Sequence, residues 1–306
     1  METKIIAIVG PTCSGKTYLS IDLAKKIRTE VISADSRQVY KYLDVGTAKP
    51  TRSQLKETRH HFVDILDPTD NHNASKFSIE ALKVIDELQK LGKIPIIVGG
   101  SGLYIKALVD GIIDDIETDE DYRSELYELR KNHGDEFLYL KLKLVDSESA
   151  GKMLPQNWKR VIRALEVYHL TGKPIGYFHS TQRQKADYYF RQYGLEWDRK
   201  KLYENINKRV DHMIANGLVD EVKLILTMGY DKKINALNTV GYKEIISYLD
   251  GDIGLDNAIE LIKRNTRHFA KRQITWFKAD KRIQWLKVNS YEDLLLYSES
   301  IIKSVN

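Results

Sequence analysis

With one cysteine, Cys13, the 306-residue chain cannot close an internal disulfide. That excludes a disulfide-stapled scaffold and points to a reducing compartment, the cytoplasm. Long hydrophobic runs are missing as well: none approaches the roughly 20 residues of a membrane span, and no signal-like apolar h-region precedes the first strand-like segment. No membrane association is expected. Clustered metal ligands are equally scarce. His60 and His61 are neighbours on a strand-like stretch, where successive side chains face opposite sides, and no third ligand stands at metal spacing. They read as structural residues. Repeats and low-complexity segments are absent, while a hydrophobic content of 42% supports a real core and excludes disorder. The length suits one large domain or two modest ones.

The net charge of +5 is mild, yet it is unevenly spread. Between Lys263 and Arg282 stand Lys263, Arg264, Arg267, Lys271, Arg272, Lys278, Lys281 and Arg282 against one acid, Asp280. A concentrated basic stretch of this kind suits a large anionic partner.

The chain is organised around Gly10-Pro11-Thr12-Cys13-Ser14-Gly15-Lys16-Thr17, which fits G-x-x-x-x-G-K-[ST] at every fixed position. Lys4–Val9 before it reads as a buried strand, and Tyr18–Ile27 after it carries apolar residues at helical spacing. Strand, loop and helix are thus in the order a phosphate-binding loop requires. Glycines let successive N–H groups turn inward, the helix N-terminus adds partial positive charge, and Lys16 brings a full one. Thr17 offers a hydroxyl to a Mg²⁺ ion travelling with the phosphates. The motif names a polyphosphate without naming which.

Downstream, Glu30–Ala34 reads as a second strand with Asp35 at its C-terminal end, the edge where open parallel sheets hold ligands. Asp35-Ser36-Arg37-Gln38 concentrates polar chemistry there, with a helix N-cap as the plain alternative. His60–Leu66 reads as a third strand and Ser75–Leu91 as a crossover helix stopped by Gly92. Ile94–Val98 then forms a buried strand, followed by the glycine-rich turn Gly99-Gly100-Ser101-Gly102. Beyond Gly111 the pattern becomes helical through Thr171. In that excursion Lys159, Arg160 and Arg163 fall at i, i+1 and i+4, roughly on one helix face, and a solvated charged face is the plain reading. Ala186–Leu195 returns to strand chemistry. Helices resume to about Gln273, with Arg209 beside an apolar stripe, and Ile283–Val288 reads as a last strand.

The expected fold is therefore α/β, a P-loop NTPase-like parallel sheet core with helical insertions. Its core would comprise 1–115, 172–198 and 275–306, with a lid-like helical excursion at 116–171 and a helical insertion at 199–274 that suits a large anionic partner. Pattern alone leaves a small-molecule kinase open, because a phosphate loop, a carboxylate after the second strand and an arginine-bearing lid would serve it. The 199–274 insertion has no evident part in such a reaction. A nucleotide switch is a third possibility, with no evident partner surface.

Several further stretches carry a resemblance wider than the loop. They include Asp35–Tyr40, Asp44–Pro50, His60–Phe62, Gly99–Tyr104, Arg163–Glu166, Gly217–Val222, Val240–Glu244 and Ala270–Phe277. Together with Gly10–Thr17, and in that order, they resemble the motif set of bacterial tRNA dimethylallyltransferases, also called isopentenyl-diphosphate:tRNA transferases. The match runs from residue 4 to about residue 286. Cys13 and Ser101 stand where alanine and threonine are common in that family.

The resemblance implies transfer of a dimethylallyl group from dimethylallyl diphosphate to N6 of adenosine 37 in tRNAs reading codons that begin with U. Gly10–Thr17 would then hold the diphosphate with Mg²⁺, Arg209 would join that cage, and Asp35 would be the general base. Asp35, Ser36, Arg37, Gln38, Ser101, Arg123, Lys159, Arg160, Val161, Ile162 and Arg163 would meet the tRNA anticodon loop, assisted by the basic run. A monomer is the expected state. A related enzyme type that prenylates free adenine nucleotides is disfavoured by the large insertion and the motifs near Arg272.

Overall fold

The computed structural model describes residues 4–112, 116–181 and 188–305. The chain divides into two compact units, Met1–Val109 with Ala186–Asn306, and Asp110–Lys185.

The first unit is built on β1 (Lys4–Val9), α1 (Lys16–Lys26), β2 (Val31–Ser33), α2 (Arg52–Glu57), β3 (His60–His61), α3 (Ala74–Lys90), β4 (Ile96–Gly99) and α4 (Gly102–Asp110). The second holds α5 (Glu120–His133), α6 (Asp135–Val145), α7 (Ser147–Ala150), α8 (Trp158–Thr171) and α9 (Ile175–Thr181). The chain then returns to the first unit through β5 (Tyr189–Trp197), α10 (Arg199–Ala215), α11 (Leu218–Thr227), α12 (Tyr242–Leu249), α13 (Leu255–Lys278), β6 (Gln284–Val288) and α14 (Tyr291–Val305). Among the described residues, no helix is long and apolar enough to cross a membrane.

Six strands form one sheet in the order β3-β2-β4-β1-β5-β6, with every pairing parallel. β1 and β4 are near-continuous apolar runs because helices cover both faces of such a sheet. Ile5, Ile6, Ala7, Ile8 and Val9 are all without solvent exposure. With β1 in the middle of the order, its C-terminal end opens into the loop at residues 10–15. The neighbouring strand ends lead to Asp35 from β2 and to Gly100 and Ser101 from β4.

Three expectations differ from the structure. The strand expected over 60–66 stops at His61, because Phe62 and Asp64 take left-handed φ values of 61° and 59°. The chain instead folds onto residues 38–39, with Asp64 N donating to Gln38 O and Ile65 N to Val39 O, both at 2.9 Å. The strand expected over 186–195 is found at Tyr189–Trp197; Ala186 and Asp187 lie outside the described residues.

The third difference concerns the 199–274 segment, which is not set apart from the core. Leu202 and Ile206 of α10 and Ala270 of α13 are buried in the same cluster as Ile6, Ile8, Leu19 and Leu195. α14, which no sequence pattern singled out, adds Leu294 and Ile301 to that cluster. The 110–185 unit has its own core of Leu126, Leu138, Leu142, Val161, Ala164 and Leu165, which is why it separates and 199–274 does not.

Candidate active site

The phosphate-loop motif folds as a tight turn entered through Gly10 (φ 145°) and closed by Cys13 (φ 63°) and Gly15 (φ 87°). No side chain caps α1 at Gly15, so its first-turn N–H groups remain for water or an anion. Ser14 Oγ donates to Pro11 O at 2.9 Å, and Trp197 Nε1 donates to Ser14 O at 3.0 Å, fixing the loop from inside and from β5. Glycine at 15 is also a packing requirement: a Cβ there would stand 2.5 Å from Leu294 Cδ1.

Lys16 Nζ donates to Pro11 O at 2.6 Å. Enclosure by the loop, then the charge of Arg209, lowers its pKa to about 8 against the opposing pull of Asp35 and Cys13. Arg209 reaches in from α10, donating from Nη1 to Thr12 Oγ1 at 3.0 Å and Cys13 Sγ at 3.6 Å, and from Nη2 to Thr47 O at 3.4 Å. Two cations crowded at one helix N-terminus have unfavourable mutual energy that an anionic group between them relieves. Thr17 stands at the start of α1, its backbone oxygen taking the Ser20 hydroxyl at 3.0 Å.

No helix begins directly after Asp35, so it is not a helix N-cap; its side chain instead holds the turn at residues 36–39. Its Oδ1 accepts from Arg37 N at 2.8 Å and Gln38 N at 3.3 Å. Both bonds fall on one oxygen, so Oδ2 stays available to a second task. Ser36 N donates to Ser101 Oγ at 3.1 Å, tying this segment to the glycine-rich turn after β4. Close backbone approach explains that turn's composition, since a Cβ on Gly99 would lie 2.2 Å from Ala34 O and one on Gly100 would lie 2.3 Å from Gln273 Nε2. The Arg37 guanidinium donates to Asn235 O at 2.7 Å. Gln38 Nε2 donates to Thr47 O and Ala48 O, both at 3.1 Å.

Gln273, which sequence reasoning placed in a motif without a role, joins the two loops. From α13 its Oε1 accepts from Thr12 N at 2.8 Å and its Nε2 donates to Gly100 O at 2.9 Å. A glutamine in an otherwise basic helical stretch was the available signal, but only the fold shows what it faces.

The remaining candidates belong to the 110–185 unit. Lys159 and Arg160 are exposed on α8. Arg163 does not share their solvent-facing role: its Nη1 pairs with Glu166 Oε2 at 2.6 Å and its Nη2 donates to Ile116 O at 3.0 Å. Arg123 Nε pairs with Glu166 Oε1 at 2.7 Å, and Asp119 N donates to the same oxygen at 2.9 Å. Glu166 is fully buried, and two guanidiniums and a backbone N–H supply the partners that a carboxylate in such a place needs. Val161 and Ile162 are buried in this unit's core, so their side chains are turned inward.

The parallel sheet and the Gly10–Thr17 turn at its C-terminal edge define an α/β protein of the P-loop NTPase-like kind. Comparison with known proteins carries this further. The family model described as IPP transferase matches residues 38–280. Over 307 residues the chain is 46% identical to the tRNA dimethylallyltransferase of Thermoanaerobacter sp. (strain X514), covering 99% of this chain and 98% of that protein. It is also 46% identical to the tRNA dimethylallyltransferase of Thermotoga maritima over 302 residues, covering 99% and 98%. Among solved structures, the tRNA isopentenylpyrophosphate transferase of Bacillus halodurans superposes with a TM-score of 0.72 at 39% identity, over 99% of this chain and 96% of that one. A eukaryotic dimethylallyltransferase acting on tRNA superposes with a TM-score of 0.79 at 27% identity, over 99% and 80%. The chain therefore belongs to the IPP transferase family, and within it to the tRNA dimethylallyltransferases.

Proposed function

We propose that the chain transfers the dimethylallyl group of dimethylallyl diphosphate to N6 of adenosine 37 in tRNAs reading codons that begin with U. The observation that carries this reading is the meeting of Lys16, Arg209 and Asp35 at one sheet edge, close enough for Arg209 and Asp35 both to act on the Lys16 ammonium. That arrangement joins an anion cradle to a carboxylate base.

In the reaction the C1–O bond of the donor breaks, the C1–N6 bond forms, and the N6 proton leaves. Negative charge builds on the departing diphosphate, where Lys16, the N–H groups of Gly10, Cys13, Ser14, Gly15, Lys16 and Thr17, and the Arg209 guanidinium act, while the Thr12 N–H is held by Gln273. Pro11, lacking an N–H, contributes its carbonyl to hold Lys16. The N6 lone pair is delocalised into the adenine ring, so attack needs a base to take its proton, and Asp35 Oδ2 is the group for that step. Thr17 is a hard oxygen donor, and no group of three His, Cys, Asp or Glu gathers among the described residues. Such a donor set fits Mg²⁺, which keeps waters and takes most other ligands from phosphate. Bound at Thr17 with the diphosphate, Mg²⁺ would supply charge to the leaving group.

Adenosine 37 must leave the anticodon-loop stack to reach this edge. Ser36, Arg37, Gln38 and Ser101 surround Asp35 and are the contacts we assign to the flipped nucleotide. Lys159 and Arg160 are assigned to the RNA backbone. Arg123 and Arg163 then act from behind, through Glu166, with Val161 and Ile162 holding the helix. A tRNA substrate agrees with a cytoplasmic protein.

Incubation with Mg²⁺, dimethylallyl diphosphate and unmodified tRNA, then digestion and mass spectrometry, should reveal a prenylated adenosine at position 37. Brisk conversion of ATP to ADP with a nucleotide or small-acid acceptor, without prenylated RNA, would overturn the reading.

A further inference from the structure

Glu221 lies on α11 in the Gly217–Val222 motif, a stretch that takes no part in the transfer chemistry. Its half-buried carboxylate is the convergence point of four donors. Asp44 N and Val45 N donate to Oε2 at 3.0 and 2.6 Å, while Gly46 N and the Tyr242 hydroxyl donate to Oε1 at 3.0 and 2.6 Å. Three successive backbone N–H groups turned onto one anion form a nest, and this nest is filled from within the chain.

The fit is close. Tyr242 is fully buried, and a Cβ on Gly46 would stand 2.4 Å from its ring, so only glycine lets ring and loop meet. Burial, then the Glu221 charge, raises the phenol's pKa well above its ordinary value, keeping Tyr242 a neutral donor at working pH.

The residues just after the nest give it a purpose. Thr47 O accepts from Arg209 Nη2 at 3.4 Å and from Gln38 Nε2 at 3.1 Å, and Ala48 O accepts from Gln38 Nε2 at 3.1 Å. Arg209 is the residue that also reaches Thr12 in the phosphate loop. We propose that Glu221 and Tyr242 are positioning residues, acting through the 44–48 loop to aim Arg209 at the phosphate loop and to place Gln38 beside Asp35. This rests on the proposed function, in which Arg209 takes the donor's diphosphate.

The test measures affinity for inorganic pyrophosphate with Mg²⁺ by calorimetry, with thermal melting as a separate readout. Glu221→Gln keeps the size but turns an amide donor toward converging N–H groups. It should weaken pyrophosphate binding about tenfold, as expected from losing one or two charge-assisted hydrogen bonds. Tyr242→Phe keeps the ring packing and removes one bond, and should weaken binding a few-fold in the same direction; it also serves if Glu221→Gln does not fold.

In an Arg209→Ala background either substitution should change affinity by less than about twofold, because the route through Arg209 is already cut. Unchanged pyrophosphate affinity in folded Glu221→Gln and Tyr242→Phe, even with lower melting temperatures, would overturn the proposal while leaving Arg209 in place. Equal losses with and without Arg209 would overturn it too. If Arg209→Ala itself binds pyrophosphate normally, the diphosphate role of Arg209 falls and the proposal with it.

Discussion

Asp35 holds the turn that follows it and is the base in the proposed reaction, and one substitution separates the two roles. Asparagine keeps the Oδ1 acceptor that receives Arg37 N and Gln38 N, so Asp35→Asn should fold normally and retain donor affinity. Loss of the base should lower single-turnover kcat by about 10²–10⁴, and a near-normal rate would remove Asp35 from the proton transfer. Lys16 gives a pH signature. Its pKa of about 8 lies below the ordinary 10.5, so in the free protein the cation is lost as pH passes about 8. Donor binding should weaken on that limb, with a proton taken up on binding at about pH 9, measured by calorimetry in two buffers. Between those two pKa values the unfolded chain binds the more protons, so this group makes the free protein more stable as pH rises there. Affinity that stays flat to about pH 10 would show that Lys16 is not a charge the donor needs.

Helices decide how these residues are held. On α8, Arg163 shares the buried Glu166 carboxylate with Arg123, so Arg163→Ala should destabilise the protein by about 1–3 kcal/mol through an under-satisfied buried acid. Chemical denaturation would measure this, and an unchanged midpoint would mean that Arg123 and Asp119 N suffice. α14 braces the phosphate loop from behind: Leu294 is fully buried and fills the space that glycine at position 15 leaves. Leu294→Ala should cost about 2–5 kcal/mol as an uncollapsed cavity, read from the same denaturation curves. The helix through Thr171 was legible from sequence, and the structure shows Val161, Ile162, Ala164 and Leu165 as its buried face. The fate of Arg163 was not legible: spacing sets Glu166 at i+3 from it, but cannot show that this carboxylate is buried and shared with Arg123.

Across the whole molecule, the basic surplus predicts salt-sensitive RNA binding. Replacing the exposed Lys159 and Arg160 together with alanine should weaken tRNA affinity and flatten its dependence on salt. The expected change is up to about 0.7–0.9 log unit in slope for each phosphate no longer neutralised, with the melting temperature unchanged. A slope equal to that of the parent protein would return these cations to an ordinary solvated surface.

Local sequence determined the parts whose physics is local. An apolar run followed by Gly10–Thr17 and an amphipathic segment specifies strand, anion loop and helix, since glycine conformations and helix dipoles act within a few residues. The position of Asp35 just past the C-terminal end of β2 was fixed in the same way. Tertiary structure alone decided which distant groups meet there. Arg209 comes to Thr12 from 197 residues away and Gln273 from 261, and no periodicity encodes such a meeting. It likewise decided that 199–274 joins the sheet's core while 110–185 keeps its own. That choice depends on whether Leu202, Ile206 and Ala270 find apolar partners on the sheet, a matter of shape matching between surfaces that exist only once the chain has folded.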